Sequence, residues 1–245
     1  MTTLAPLLVL SGLSKRFGGS EAVSGLSLTV AAGEMVALLG INGAGKTTTM
    51  RLLMGTLQPS GGSATIAGFD CFAARHQAMR HVGYLPDEPA FPDYLRGREL
   101  LGFVGEMHGL PRSVAEERIA ELAVQLELAE ALDEFAVNYS KGMRKKLALG
   151  LALMHRPGLL VLDEPTNGLD PYATRSLHLL LRRLAEAGTA VFFSTHLLDQ
   201  AERLCQRVAV LHRGVLVACG PLAELRGADA TLEDAFFRLT GAARA

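Results

Sequence analysis

GINGAGKT, residues 40–47, is the segment from which the rest of this sequence is best interpreted. It matches the pattern G-x-x-x-x-G-K-[ST], in which glycines let backbone N–H groups curl around a phosphate. The apolar run EMVALL, residues 34–39, comes directly before it, and TTTMRLLMGTL, residues 47–57, has the pattern of a helix. A buried strand, a glycine-rich loop and a helix N-terminus together form an anion site. The sequence therefore predicts a nucleotide-binding loop in an α/β domain.

This loop supplies the first group of candidate site residues. Lys46 is a catalytic candidate, because its ammonium can reach the β- and γ-phosphates, and the hydroxyl of Thr47 can ligate Mg²⁺. The guanine-reading tetrapeptide N-K-x-D, which a GTPase usually carries, does not occur in the sequence. The predicted nucleotide-binding residues of this segment are Gly40, Ile41, Asn42, Gly43, Ala44, Gly45, Lys46, Thr47 and Thr48.

A second candidate group stands at the end of GLLVLDE, residues 158–164. In a parallel sheet, ligands gather at the carboxyl ends of the strands. We therefore expect Asp163 beside the phosphate loop, where it would hold Mg²⁺, most simply through water. Glu164 would then accept a proton from an attacking water molecule. Solvated acids at a strand end are the alternative for this pair taken alone, and the phosphate loop favours the catalytic interpretation.

The remaining sequence indicates one α/β domain with a helical insertion. Short apolar runs alternate with helical patterns on both sides of a central block, which predicts a mostly parallel sheet. Within that block, from about Pro89 to Leu153, apolar residues recur at three- and four-residue steps. Ser113 followed by Glu116 predicts a capping box there. The expected parts of the single domain are a nucleotide-binding core of residues 1–87 and 155–225, an inserted helical subdomain of residues 88–154, and a short C-terminal helical tail of residues 226–245.

Composition disfavours several classes of function. The chain has 245 residues, 49% of them hydrophobic, and a net charge of −1, so we expect no nucleic-acid partner. Its three cysteines form no CxxC pair, which disfavours zinc and disulfide frameworks and fits a reducing compartment. The internal apolar runs are shorter than the roughly 18 residues of a bilayer span. We expect the apolar start to be a buried first strand rather than a signal peptide, and the chain not to cross a membrane.

Five segments, in this order, resemble those of the ATP-binding-cassette (ABC) ATPases. They are SKRFGG, with Phe17 at the adenine-stacking position; LLGINGAGKTTTMRLLMG, similar to Walker A; YSKGMRKKLALGLAL, at the place of the LSGGQ signature; LLVLDEPTNGLD, similar to Walker B and the D-loop; and STHLLDQAERLC, similar to the switch region with its histidine, His196. The resemblance covers nearly the whole chain. It implies an α/β P-loop NTPase (RecA-like) core with an N-terminal antiparallel β subdomain and an inserted helical subdomain.

The resemblance also implies a mechanism. Two cassettes, expected here as a homodimer, face head to tail and enclose two molecules of ATP with Mg²⁺. Each ATP lies between Walker A of one cassette and the signature helix of the other, where Ser140 and Gly142 would bind it. In this scheme Glu164 polarises the attacking water, His196 contacts the γ-phosphate, and Asp170 is a nucleotide-site residue that communicates across the dimer.

The sequence departs from the family pattern at several positions. Asp87 stands where the family has the Q-loop glutamine; it can ligate Mg²⁺ or its water, or be a solvated loop acid. In the signature, Lys141 replaces a glycine and Met143 a glutamine, while Ser140 and Gly142 remain. A Ser-capped helix start is one interpretation of this segment, and an anion site is another. The sequence leaves open whether Lys141 points to solvent or towards the γ-phosphate.

The segments YSKGM, GYLPDEP and LEDAFFRLTG are most similar to the ATPase subunits of ABC-2-type exporters. We therefore expect a peripheral subunit on the cytoplasmic face of the membrane, docked on a separate integral permease subunit. The helical insertion and the loop of residues 87–94 would form the contact, with Phe91 and Tyr94 either as anchors or packed inside the domain. Alternatives are a soluble ABC ATPase acting on nucleic acid or ribosomes, and a small-molecule kinase. Soluble ABC ATPases of the chromosome type carry a long coiled coil, those of the repair type carry zinc cysteines, and those that act on ribosomes carry two cassettes; this sequence has none of these features. A small-molecule kinase would not explain the segment YSKGM.

Overall fold

The structure is a computed structural model that describes residues 5–227, 229 and 231–241. The first four residues of the predicted apolar start and residues 228, 230 and 242–245 of the predicted tail lie outside the described residues. In the described part of the chain, ten strands form one sheet. They are β1 (Pro6–Phe17), β2 (Ser20–Ala31), β3 (Met35–Leu39), β4 (Gly61–Ile66), β5 (Phe69–Asp70), β6 (Val82–Leu85), β7 (Leu159–Asp163), β8 (Ala190–Thr195), β9 (Arg207–His212) and β10 (Val215–Pro221).

The sheet runs in the order β5-β4-β1-β2-β10-β9-β3-β8-β7-β6 and has two different halves. Strands β9, β3, β8, β7 and β6 are parallel, while β1, β2, β4 and β5 pair antiparallel. The antiparallel β10 joins them: it pairs with β9 and meets β2 at one parallel position. This arrangement confirms the predicted fold class, a P-loop α/β core with an N-terminal antiparallel subdomain.

Within the described range the chain forms nine α-helices and a short 3-10 helix at Ala136–Asn138. The α-helices are α1 (Lys46–Leu53), α2 (Arg75–Met79), α3 (Gly97–Met107), α4 (Arg112–Gln125), α5 (Lys141–Leu153), α6 (Pro171–Glu186), α7 (Leu198–Leu204), α8 (Leu222–Arg226) and α9 (Leu232–Thr240). Helices α3, α4 and α5 lie between β6 and β7 in the chain, where the sequence predicted a helical insertion. The residue numbers assigned to the parts of the domain stay predictions.

One local prediction was wrong. Helix α4 begins at Arg112 after Pro111, so Ser113 lies inside its first turn and does not cap it. Proline sets a backbone dihedral that suits a helix start, so this helix begins without a side-chain cap. The Glu side chain of a capping box is found in α3 instead, where Glu99 accepts a hydrogen bond from the N–H of Arg96 at 2.8 Å.

Strand β3 is buried along its whole length, which explains the continuous apolar run that precedes the phosphate loop. Met35, Ala37 and Leu39 pack on the side of the inserted helices, whereas Val36 and Leu38 pack on the side of α1 and the antiparallel strands. Each large apolar side chain buried in this way contributes about 1.5–3 kcal/mol. The phosphate loop therefore follows a strand that contributes side chains to the apolar clusters on both faces of the sheet.

Candidate nucleotide site

The phosphate loop leaves β3 and enters α1 through a glycine that no other residue could replace without strain. Gly45 has φ +108°, and a Cβ there would lie 2.4 Å from the carbonyl oxygen of Ala22. Helix α1 starts at the next residue, Lys46. Its first N–H groups have no intrahelical partners and point out of the helix N-terminus into the loop. The backbone is therefore shaped to receive an anion.

The Lys46 side chain is folded back across this loop and is only 7% exposed. Its Nζ donates to the carbonyl oxygen of Gly40 at 2.7 Å and lies 3.3 Å from Oε1 of Glu164. A buried ammonium requires partners of this kind. The contact joins the phosphate loop to the end of β7, as the sequence predicted for the two groups of candidate residues.

Asp163, the last residue of β7, lies in a cluster of oxygen atoms. The hydroxyl of Ser194 donates to its Oδ1. Burial raises the pKa of Asp163, and hydrogen bonds from Ser194 and Thr47 act in the opposite direction. A hard divalent cation prefers oxygen ligands of this type and would favour the ionised carboxylate. Within the described residues no three His, Cys, Asp or Glu side chains are grouped to hold a metal, and Mg²⁺ commonly uses only one or two carboxylates together with phosphate oxygens.

Glu164 follows in a backbone conformation that is unusual for a residue with a side chain. Its φ of +45° lies in the left-handed region, which costs about 1–3 kcal/mol unless the surroundings hold it. Its N–H donates to the Ser194 carbonyl oxygen at 3.2 Å, and its Oε2 lies 3.0 Å from Nδ1 of His196. The structure thus brings the three catalytic candidates together, with Lys46 on one carboxylate oxygen and His196 on the other.

Three other predicted site residues make no direct contact with this group among the described hydrogen bonds and ion pairs. Phe17, at the end of β1, is 51% exposed and has the ammonium of Lys15 at 5.2 Å from its ring centre. Asp170 caps α6, where its Oδ1 accepts hydrogen bonds from the N–H groups of Tyr172 and Ala173. Asp87 faces Asn167, whose Nδ2 donates to Oδ1 at 3.1 Å.

Ser140 and Gly142 stand at the start of α5. Ser140 caps the helix, and its Oγ accepts a hydrogen bond from the N–H of Met143 at 3.2 Å. A Cβ added to Gly142 would meet its nearest neighbours, in Leu169 and Ser140, at ordinary distances of 3.8 and 3.9 Å. The fold of the single chain therefore does not require glycine at this position. None of the described contacts links these two residues to the phosphate loop.

Lys141 has a definite position, which the sequence left open. Its side chain lies along Gly168 in the segment after β7: a Cβ built on Gly168 would be 2.5 Å from Cε and 2.8 Å from Nζ of Lys141. Gly168 itself has φ +76°. The backbone conformation favours glycine there, whereas the end of the flexible lysine side chain could move aside for a Cβ.

Sequence reasoning missed two residues of the site. Ser194 contacts both Asp163 and Glu164, and its signal was its position at the end of the neighbouring strand, just before His196. Lys145 is buried and donates to the backbone after β7. The sequence feature that could have identified it is the spacing: Lys145 lies three and four residues before Ala148 and Leu149, which places a charged residue on the apolar face of α5.

A buried lysine on a phosphate loop, paired with the second of two acids at the end of a parallel strand, defines a P-loop nucleoside triphosphatase. The sequence matches the ABC transporter family over residues 23–167. It is 40% identical to the ABC transporter ATP-binding protein YdbJ of Bacillus subtilis, over 96% of this chain and 74% of YdbJ. It is 39% identical to the daunorubicin/doxorubicin resistance ATP-binding protein DrrA of Streptomyces peucetius, over 88% of this chain and 66% of DrrA. A solved structure of an ATP-binding subunit of an ABC transporter superposes with a TM-score of 0.90 at 32% identity, covering 96% of this chain and 99% of that one.

The chain therefore belongs to the ABC transporter family. It is an ATP-binding subunit and an ATPase of that family, as its sequence predicted, and the comparisons give no support to the nucleic-acid or ribosome alternative. Within the described residues, no helix combines the length and the apolar character needed to cross a membrane.

Proposed function

We propose that this subunit hydrolyses ATP at the Lys46–Glu164 site to drive an ABC-2-type exporter. The observation that carries the proposal is the contact of Glu164 with both Lys46 and His196 at the end of β7. Glu164 would take the proton of the attacking water, and His196 would orient that carboxylate and then contact the γ-phosphate. Lys46 would exchange its contacts with Glu164 and Gly40 for β- and γ-phosphate oxygens.

Mg²⁺ fits the oxygen cluster beside the phosphate loop. Thr47 and Asp163 would hold it, directly or through water, and the ion would neutralise charge on the β- and γ-phosphates. Asp87 stays a third predicted ligand. Its Oδ1 faces Asn167 and Lys145, so Oδ2 is the oxygen that would reach a metal-bound water. Phe17, exposed at the edge of the antiparallel strands, would stack on adenine through its ring face.

A second copy of the chain would complete the site. The start of α5 has a serine cap, a glycine that the single chain does not require, and N–H groups that have no intrahelical partner. These are the features of an anion site. We propose that Ser140 and Gly142 bind the γ-phosphate of the ATP held by the partner cassette, and that Asp170 lies at the same interface.

The membrane partner would be a separate integral permease subunit on which the cassette docks from the cytoplasmic face. Of the two aromatic anchors considered, Tyr94 is 75% exposed, whereas the Phe91 ring packs under the guanidinium of Arg144 at 4.7 Å. Helix α3 adds the exposed side chains of Phe103 and Met107 to the same subdomain. Tyr94 and this face of α3 are the proposed contacts, since exposed aromatic and Met side chains are enriched at interfaces. A drug-resistance subunit among the relatives favours export.

The substitution Glu164→Gln tests the proposal. It keeps the size of the side chain but removes the base, so turnover should fall by about 100-fold or more. ATP should still bind, and the variant should elute from gel filtration as a dimer in ATP and a monomer without it. A variant that hydrolyses ATP at the wild-type rate would exclude Glu164 as the base.

A further inference from the structure

A buried lysine on the signature helix α5 contacts the backbone of the proposed catalytic base. Lys145 is 3% exposed. Its Nζ donates to the carbonyl oxygen of Glu164 at 2.6 Å and to that of Asn167 at 3.1 Å, and lies 3.7 Å from Oδ1 of Asp87. An ammonium has three N–H donors and no acceptor, so the two carbonyl oxygens take two of its donors and the Asp87 carboxylate adds an ion pair.

The lysine is costly to bury at this position. It lies on the face of α5 that also buries Leu149, where an apolar side chain would fit without desolvating a charge. Burial lowers the pKa of Lys145, and the Asp87 carboxylate opposes that effect. The hydrogen bonds that the Lys145 ammonium makes must therefore explain why a lysine is buried at this position.

What it holds is the strained peptide at Glu164. The left-handed φ of this residue turns its carbonyl towards α5, where the oxygen accepts hydrogen bonds from Lys145 and from the N–H of Asn167 at 3.1 Å. The N–H of Glu164 is fixed on the other side by Ser194. A rotation of this backbone would break the Lys145 contact and carry the carboxylate away from Lys46.

We propose that Lys145 is a positioning residue for ATP hydrolysis: it ties the Glu164–Asn167 backbone to α5 and so fixes the carboxylate in its reactive position. The proposal rests on the proposed function of Glu164 as the base. Because Lys145 lies about one turn after Gly142 on the same helix, a phosphate bound at the start of α5 and the base at Glu164 would belong to one rigid unit. Closure of a dimer on α5 would then act on the base of the same cassette.

The test is Lys145→Met in the full-length chain. We expect kcat, counted per site that binds a fluorescent ATP analogue, to fall by about 10- to 100-fold, because a small displacement of a reacting group has effects of this size. The KM for ATP and the Kd of the analogue should change by less than about threefold. The matched control is Lys146→Met, one residue along the same helix, whose Nζ pairs with Glu127 at 2.7 Å away from the site; it should keep the wild-type kcat.

Lys145→Gln provides a second measurement if the Met variant does not fold. Its shorter, neutral side chain cannot span both carbonyl oxygens, so the same selective loss of kcat is expected. Wild-type kcat in the folded variant, or equal losses in kcat and in affinity for the analogue, would overturn the positioning role. Glu164→Gln is measured alongside. If it is inactive while Lys145→Met is fully active, only the present inference fails; if it is as active as the wild type, the proposed function fails as well.

Discussion

The phosphate loop and the start of α5 are both helix N-termini shaped for an anion, yet they differ in what the chain places around them. At the phosphate loop, Lys46 and Glu164 contact each other and are buried. At α5, the Ser140 cap and Gly142 have no described contact with those groups. One region is assembled within the single chain, while the other presents its binding groups outwards. This difference is what the proposed division of the site between two copies of the chain requires.

Of the substitutions considered, Lys46→Met should have the largest effect on activity, because it damages the phosphate loop, the part of the site that the single chain assembles by itself. Loss of the ammonium removes a charge from the phosphates and leaves the Glu164 carboxylate buried without its cation. We expect kcat/KM for ATP to fall by about 1000-fold, the upper range for loss of one transition-state contact. The Kd for ATP of the isolated chain should rise in parallel, as measured by isothermal titration.

Arg51→Met is the control for that change. Arg51 lies on the exposed side of the same helix, α1, and its loss should leave the Kd within about twofold. If Lys46→Met bound ATP as tightly as the Arg51 variant, the phosphate loop would not be the half that recognises ATP in the single chain.

Gly142→Asp should have the next largest effect, on the half that faces outwards. The carboxylate adds bulk and negative charge at the helix start, where the partner's γ-phosphate would lie, so ATP-dependent dimers should not form. Turnover should fall by about 100-fold, while the Kd for ATP of the single chain stays within about threefold. Analytical ultracentrifugation with ATP, in the Glu164→Gln background, measures the dimer.

Gly102→Asp is the matched variant, since this glycine of α3 also has open space for a side chain. It should dimerise like the parent protein. Closed dimers in the Gly142 variant would mean that YSKGM is a capped helix start and no more.

The sequence predicted the first region in more detail than the second, for a physical reason. The EMVALL strand, the loop glycines and the strand that ends at Asp163 are local patterns, and each shows its role within about ten residues. The contacts of Lys145 and Ser194 join segments 19 and 30 residues apart to Glu164, and no local pattern records them. The sequence also did not define the position of Lys141, because its neighbour Gly168 lies 27 residues further along the chain.

The smallest expected effect is that of Asp87→Gln, which bears on the junction between the two regions. Asp87 contacts Lys145 of α5 and Asn167 after β7, and Gln keeps an oxygen that can accept from both. The ion pair between Asp87 and Lys145 has a length of 3.7 Å, and the Asp87 side chain is 38% exposed, so solvent screens the pair. Loss of the pair should lower the free energy of unfolding by about 1 kcal/mol or less.

The Mg²⁺ concentration for half-maximal turnover should rise by less than about threefold in Asp87→Gln, whereas Asp163→Asn should raise it by at least tenfold. Denaturant unfolding and Mg²⁺ titration of turnover measure the two quantities. A rise with Asp87→Gln as large as that with Asp163→Asn would make Asp87 a direct metal ligand, and would assign it to the phosphate-loop half rather than to the link with α5.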